Sequence, residues 1–137
     1  MEYYTKELWM DMNSLDTEKR NTAREKWRDN SRLYAKKLES IKAFLPIEFL
    51  LTYQKNNGFH DFKILSISIL LMEHVVKIHL SDGNEKGIVE LHEVSGFLVD
   101  CCNLGNCICG RLTWGYSEFD VDTSGMISIS ILCDIEN

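Results

Sequence analysis

The hydrophobic period of this chain changes once, at Asn57-Gly58, from about 3.6 residues before that point to two after it. Two periods in that order predict an α+β fold: N-terminal helices, one of them long and amphipathic, packed on a C-terminal antiparallel sheet of five to six strands. Charge shifts at the same place. Residues 1–58 hold 11 Lys/Arg against 9 Asp/Glu, whereas residues 59–137 hold 4 against 12. The second half is therefore the one suited to a basic partner. At 137 residues the chain fits one domain, with a helical part over 1–58 and a sheet part over 59–137.

Within the first half, Thr5 is placed to cap a short helix carrying Leu8, Trp9 and Met12 on one side, and Asp16 to cap the next. From Thr17 to Leu45 the apolar positions Trp27, Tyr34 and Ile41 interleave with Ser31, Leu38 and Leu45, and Ala23 extends the stripe one turn earlier. Lys, Arg, Glu and Asp fill the other faces, as one long amphipathic helix requires. Pro46 stops that helix and suits the first position of the following one, for which Gly58 is a C-terminal cap.

In the second half, Leu65, Ile67, Ile69 and Leu71 alternate with Ser66, Ser68 and Leu70, and Val76, Ile78 and Leu80 with Val75, Lys77 and His79. Asp82-Gly83 marks a hairpin turn. Ile88 to Leu98 supplies one or two strands with a bend at Ser95-Gly96, and Asn103 to Asn106 forms a loop. Ile108, Leu112, Trp114 and Tyr116 share a face, but Phe119 and Val121 have the opposite parity, so a bulge or bend is expected at Ser117-Glu118. Thr123-Ser124-Gly125 turns the chain into the clearest strand, where Ile127, Ile129 and Ile131 alternate with Ser128 and Ser130, and Cys133 continues the core row. Alternation with serine implies one dry and one wet face, hence antiparallel pairing.

Function is less legible. No basic n-region precedes an apolar stretch at the N-terminus, and the longest apolar run, Ile64 to Met72, is far short of the roughly 20 residues a membrane span needs. The expectation is a cytoplasmic protein with no membrane association. Net acidity argues against nucleic acid, which demands clustered Lys/Arg. Five cysteines without a secretory signal read as reduced thiols. Cys101, Cys102, Cys107 and Cys109 are weak candidates for a metal site, because C-C-x4-C-x-C is not the paired C-x2-C of structural zinc, and no cofactor is expected. His60-Asp61 opens the first strand, and a carboxylate beside an imidazole can hold it in one tautomer. Glu118, Asp120 and Asp122 share one strand face and can pair with the lysines and arginines of a partner. No P-loop, dinucleotide fingerprint, H-E-x-x-H or G-x-S-x-G is found.

The opening Tyr3-Tyr4-Thr5-Lys6-Glu7-Leu8-Trp9, the junction Gly58-Phe59-His60-Asp61-Phe62-Lys63-Ile64, and Trp114-Gly115-Tyr116-Ser117-Glu118-Phe119 before a final hairpin resemble, in the same order, a family of small Gram-positive bacterial proteins known as domain of unknown function 4085. The resemblance spans most of the chain, although the cysteine-rich 101–109 stretch departs from it. It carries over no activity and no functional residues. Helices followed by an acidic antiparallel sheet are also similar in layout to immunity proteins that guard cells from secreted toxins, and such a layout does not fix function.

Three functions are thus in play. The first is a non-enzymatic acidic protein-binding module, immunity-like, that antagonises a basic toxin, with Glu118, Asp120, Asp122, His60 and Asp61 as binding residues. The second is a small metal-dependent hydrolase using His60 and Asp61. The third is a zinc- or redox-responsive module built on the 101–109 cysteines. The charge balance after Gly58 and the lack of a catalytic motif favour the first, and an enzyme is not the expectation.

Overall fold

A computed structural model describes residues 1–98 and 112–135. The cap residues read from the sequence act as such. Thr5 Oγ1 accepts from the Leu8 N–H at 3.3 Å to start α1 (Lys6–Met12), and Asp16 Oδ1 accepts from Glu18 and Lys19 at 2.9 and 3.1 Å to start α2 (Thr17–Ile41). A single 3-10 turn over Lys42–Phe44 follows, and Pro46 precedes α3 (Ile47–Lys55) as its cap residue rather than its first residue. That helix closes at Asn56. Gly58 does adopt the left-handed conformation, φ +69°, but within the next short turn, Asn57–Phe59.

Among the described residues five strands follow: β1 (Phe62–Leu70), β2 (Val75–Ser81), β3 (Lys86–Leu91), β4 (Leu112–Val121) and β5 (Ile127–Ile135). They form an antiparallel sheet in the order β3-β2-β1-β4-β5, so the α+β expectation holds. The chain divides into two units. Met1–Gly58 groups with Tyr116–Leu132, and Phe59–Gly115 with Cys133–Asn137. One edge of the first unit falls at Gly58, and the far part of the β4–β5 hairpin groups with the helices.

In the helical unit, two clusters share Leu38. Tyr4, Leu8, Ala23, Trp27 and Tyr34 are buried together, with Tyr116 packed on them and its ring 4.6 Å from that of Trp27. Leu45, Leu50 and Phe119 form the second cluster, flanked by Phe49, Tyr53, Ile127 and Ile129. Phe119 is fully buried. These residues explain the parity conflict at Ser117-Glu118. The strand runs through it as one element, because both of its faces are covered. Tyr116 and Glu118 meet the N-terminal segment, while Ser117 and Phe119 meet α3, where Ser117 Oγ lies 2.7 Å from Tyr53 Oη. Alternation between wet and dry faces fails where a strand has two dry faces.

In the sheet unit, the register pairs Ile67 with Ile78 and Ile78 with Val89, and Ile69 with Val76 and Val76 with Leu91. A register shift between Ile64 and Ser66 leaves Leu65 as an extra residue. Val76, Ile78, Leu80, Val89 and Ile64 are buried, whereas Leu65, Ile67 and Ile69, expected on the dry face, are exposed. Asp82-Gly83 turns the chain as expected: Asp82 Oδ1 accepts from Asn84 and Glu85, each at 2.8 Å, and Gly83 has φ +100°. The expected strand to Leu98 ends instead at Leu91. Glu93 takes a left-handed φ of +56°, and the Val94 N–H then bonds the His74 carbonyl at 2.8 Å rather than continuing a ladder. Cys133, expected in the core, is exposed. The expected loop at Asn103 to Asn106 and the position of Ile108 lie outside the described residues.

Candidate functional site

Glu118 and Asp120 lie on β4, whereas Asp122, expected on the same strand face, falls just past its end at Val121; all three are engaged within their own unit. Glu118 is buried. Its Oε1 accepts from the backbone N–H groups of Tyr3 and Tyr4 at 2.8 and 2.6 Å, and its Oε2 from that of Glu2 at 2.7 Å. It is an anchor for the N-terminal segment rather than a surface charge. Asp120 is exposed and lies 3.2 Å from Lys37 Nζ, which also reaches Glu2 at 3.7 Å. Asp122 organises the β4–β5 turn. The Ser124 hydroxyl, then the Met126 and Ser124 N–H groups, donate to its carboxylate and hold its pKa below the ordinary value.

His60 Nδ1 lies 2.9 Å from Asp61 Oδ2, so the adjacent pair does meet. Asp61 itself has a left-handed φ of +69°, its N–H donates to the Trp114 carbonyl at 2.8 Å, and its side chain is largely open to solvent. This is the geometry of a residue that turns the chain into β1. Cys101, Cys102, Cys107 and Cys109 lie outside the described residues. Among the described residues no group of three or more His, Cys, Asp or Glu is placed to hold a metal ion. A groove of about 510 Å³ runs along α1 and α2, and Lys19 and Asp11, both of which line it, pair at 2.8 Å.

An exposed apolar surface of the sheet unit lies elsewhere, at the end of the sheet where β1 passes into β2. One 3-10 turn, Leu71–Glu73, makes the connection, and His74 in the left-handed region (φ +54°) closes it. Histidine is among the few side chains that tolerate this conformation. The tightness of the turn leaves no interior for its side chains. Leu71 is 78% exposed and Met72 96%. The apolar surface continues along β1 through Ile69 and Ile67.

Carboxylates rim this knuckle. Glu73 follows Met72 directly, and the bond from Val94 to His74 brings Glu93 alongside. Glu90, opposite Lys77 in the β2–β3 register, pairs with Lys77 at 2.8 Å and with His92 at 3.3 Å, and the Lys77 hydrogen bond holds its carboxyl below the usual range. Glu73 and Glu93 make no ion pair among the described residues. The sequence carries a signal for this site. Leu70-Leu71-Met72 puts three apolar residues in succession where a strand would alternate, directly before Glu73-His74. The period-two reading assigned Leu71 to the dry row and passed over Met72.

The chain matches no family model, no curated protein and no solved structure. The resemblance of the stretches at 3–9, 58–64 and 114–119 rests on those residues alone. No helix among the described residues is long and apolar enough to cross a membrane.

An apolar centre with an acidic rim offers two kinds of contact. Leu71 and Met72 offer area to be dehydrated, and methionine adapts its shape to an irregular partner. Glu73 and Glu93 supply charge at the edge, where it guides encounter and stays hydrated.

Proposed function

We propose that this chain is a non-enzymatic protein-binding module for a basic partner, with the β1–β2 end of the sheet as its contact surface. The observation that carries the reading is the near-complete exposure of Leu71 and Met72 beside Glu73 and Glu93, two carboxylates without an internal ion pair among the described residues. The partner that fits is a cationic segment with apolar side chains, whose lysines or arginines face the rim while its apolar groups cover the knuckle. An immunity-like role, in which the partner is a basic toxin, is one form of this function.

Titration calorimetry with an amphipathic Lys/Leu peptide tests the surface. Burying one apolar side chain is worth about 1.5–3 kcal/mol, so Met72→Ser with Leu71→Ser should weaken binding by tenfold or more. Glu73→Lys with Glu93→Lys should weaken it most at low salt. Binding that neither pair of substitutions alters would sink the proposal.

A further inference from the structure

Helix α2 carries charge opposite to that of the sheet end. It holds eight Lys/Arg and four Asp/Glu, whereas the described residues of the sheet unit hold three and seven. Its basic residues are also arranged. Arg24, Arg28, Arg32 and Lys36 follow one another at intervals of four, so they climb one flank of the helix over about 18 Å, beside the buried stripe of Ala23, Trp27 and Tyr34. All four are exposed. Arg32 pairs with Asp29 at 3.2 Å, while Arg24, Arg28 and Lys36 make no ion pair among the described residues.

We infer that copies of this chain associate head to tail, with the Arg24–Arg28–Arg32–Lys36 flank of one copy against Glu73, Glu90 and Glu93 of the next. Two exposed surfaces of the same molecule are complementary in charge, and each carries groups that make no ion pair among the described residues. Glu90 is shared with Lys77 and His92, so Glu73 and Glu93 carry most of the attraction. Two different patches in contact make a heterologous interface, which does not bury a self-complementary apolar seam. Association of this kind is weak, fast and governed by salt. It also has a regulatory consequence. The inference rests on the reading of the sheet end as a binding surface, and a basic partner arriving there displaces the neighbouring copy.

Sedimentation velocity on the purified chain alone, over a concentration series, separates this from the partner reading, because no partner is present. At ionic strength of about 0.01 M the weight-average sedimentation coefficient should rise with concentration. At about 1 M, where the screening length is about 3 Å, the chain should sediment as a monomer. Arg24→Glu with Arg28→Glu and Lys36→Glu should abolish the rise, and so should Glu73→Lys with Glu93→Lys. The decisive species is the chain bearing both sets, in which attraction is re-created with signs exchanged and the rise should return. Arg→Gln replacements at 24 and 28, checked by circular dichroism, guard against a folding defect. A wild-type chain that stays monomeric at about 0.01 M, self-association that survives about 1 M salt, or a doubly reversed chain that remains monomeric overturns the inference. So does a labelled DNA duplex that binds the α2 flank while the chain itself stays monomeric.

Discussion

Replacing Glu118 by alanine tests whether a single buried carboxylate holds the N-terminal segment in place. Three backbone N–H groups converge on it at 2.6–2.8 Å, two on one oxygen and one on the other. Leaving a buried donor unsatisfied costs about 1–3 kcal/mol, so three empty donors would cost roughly 3–9 kcal/mol if the segment stayed put. The segment has an escape, which is to leave the strand and hydrate. Release forfeits the burial of Tyr4, whose ring lies 5.0 Å from Trp27, 5.5 Å from Tyr34 and 5.2 Å from Tyr116. Burying such a ring is worth about 1.5–3 kcal/mol, with about 0.5–1.5 more for each aromatic pair. Freeing three residues returns about 1–2 kcal/mol each in backbone entropy. Release is therefore the cheaper route, and these opposing contributions leave an expected loss of about 1 kcal/mol. Urea unfolding should show it as a lower midpoint, and hydrogen exchange should show loss of protection at residues 2–4 before any other change. Glu118→Gln keeps one oxygen and should lose roughly half as much, because its amide then opposes the Glu2 N–H. A Glu118→Ala protein within about 0.5 kcal/mol of wild type, the margin of an ordinary surface substitution, would refute the reasoning.

Gly58→Ala should cost about 1–2 kcal/mol, since φ is +69° and the added Cβ would stand 3.0 Å from Tyr53 Oη; a thermal melt should read this as a Tm several degrees lower. Asp16→Ala removes both cap bonds at the start of α2 and should lower stability by about 1 kcal/mol in urea unfolding, with Asp16→Asn nearly neutral. Burial raises the pKa of Tyr34 and of Tyr53 above the ordinary phenol value, so their protons are retained in the folded chain after the unfolded chain has lost them. Their contribution is complete below about pH 10 and is lost as pH climbs beyond it, at up to about 1.4 kcal/mol per pH unit for each. Urea midpoints measured from pH 8 to 12 should fall above pH 10, and less steeply in Tyr34→Phe.

Local rules were legible wherever one residue sets the conformation. Thr5, Asp16, Asp82 and Asp122 cap or turn the chain through their own side-chain oxygens, within four residues of themselves. The stripe on α2 was equally plain, because Ala23, Trp27 and Tyr34 meet a single core cluster. What escaped was set by distant parts of the chain. Whether Glu118 is a surface charge or an anchor depends on residues more than a hundred positions away, and its neighbours Asp120 and Asp122 gave no contrast to mark it. The same distance explains the false bulge at Ser117-Glu118, since only the arrival of both the N-terminal segment and α3 makes two dry faces. Strand alternation describes burial only when the covering layer is known, and so Leu65, Ile67 and Ile69 were assigned to a core they do not fill.

The fate of the carboxylates narrows the meaning of the acidic second half. Its negative charge read as one surface, but the part on β4 and just past its end is engaged by the fold: Glu118 by the N-terminal backbone, Asp120 by Lys37, Asp122 by its own turn. Glu118 and Asp122, bonded at 2.6–3.0 Å, have little to offer an incoming cation because their partners must first be displaced, while the exposed Asp120, 3.2 Å from Lys37, is held less. The Glu73 and Glu93 carboxylates make no hydrogen bond or ion pair among the described residues, Lys77 acting on Glu73 only through its charge, and they flank the exposed Leu71 and Met72. Electrostatic steering toward the second half and retention at one place on it are therefore different tasks. In the proposed binding role the summed charge would serve the first, and the β1–β2 knuckle the second. Neutralising Asp120 and Asp122 should slow association without changing how long a basic partner stays, whereas Met72→Ser should shorten its residence and leave the encounter rate unchanged.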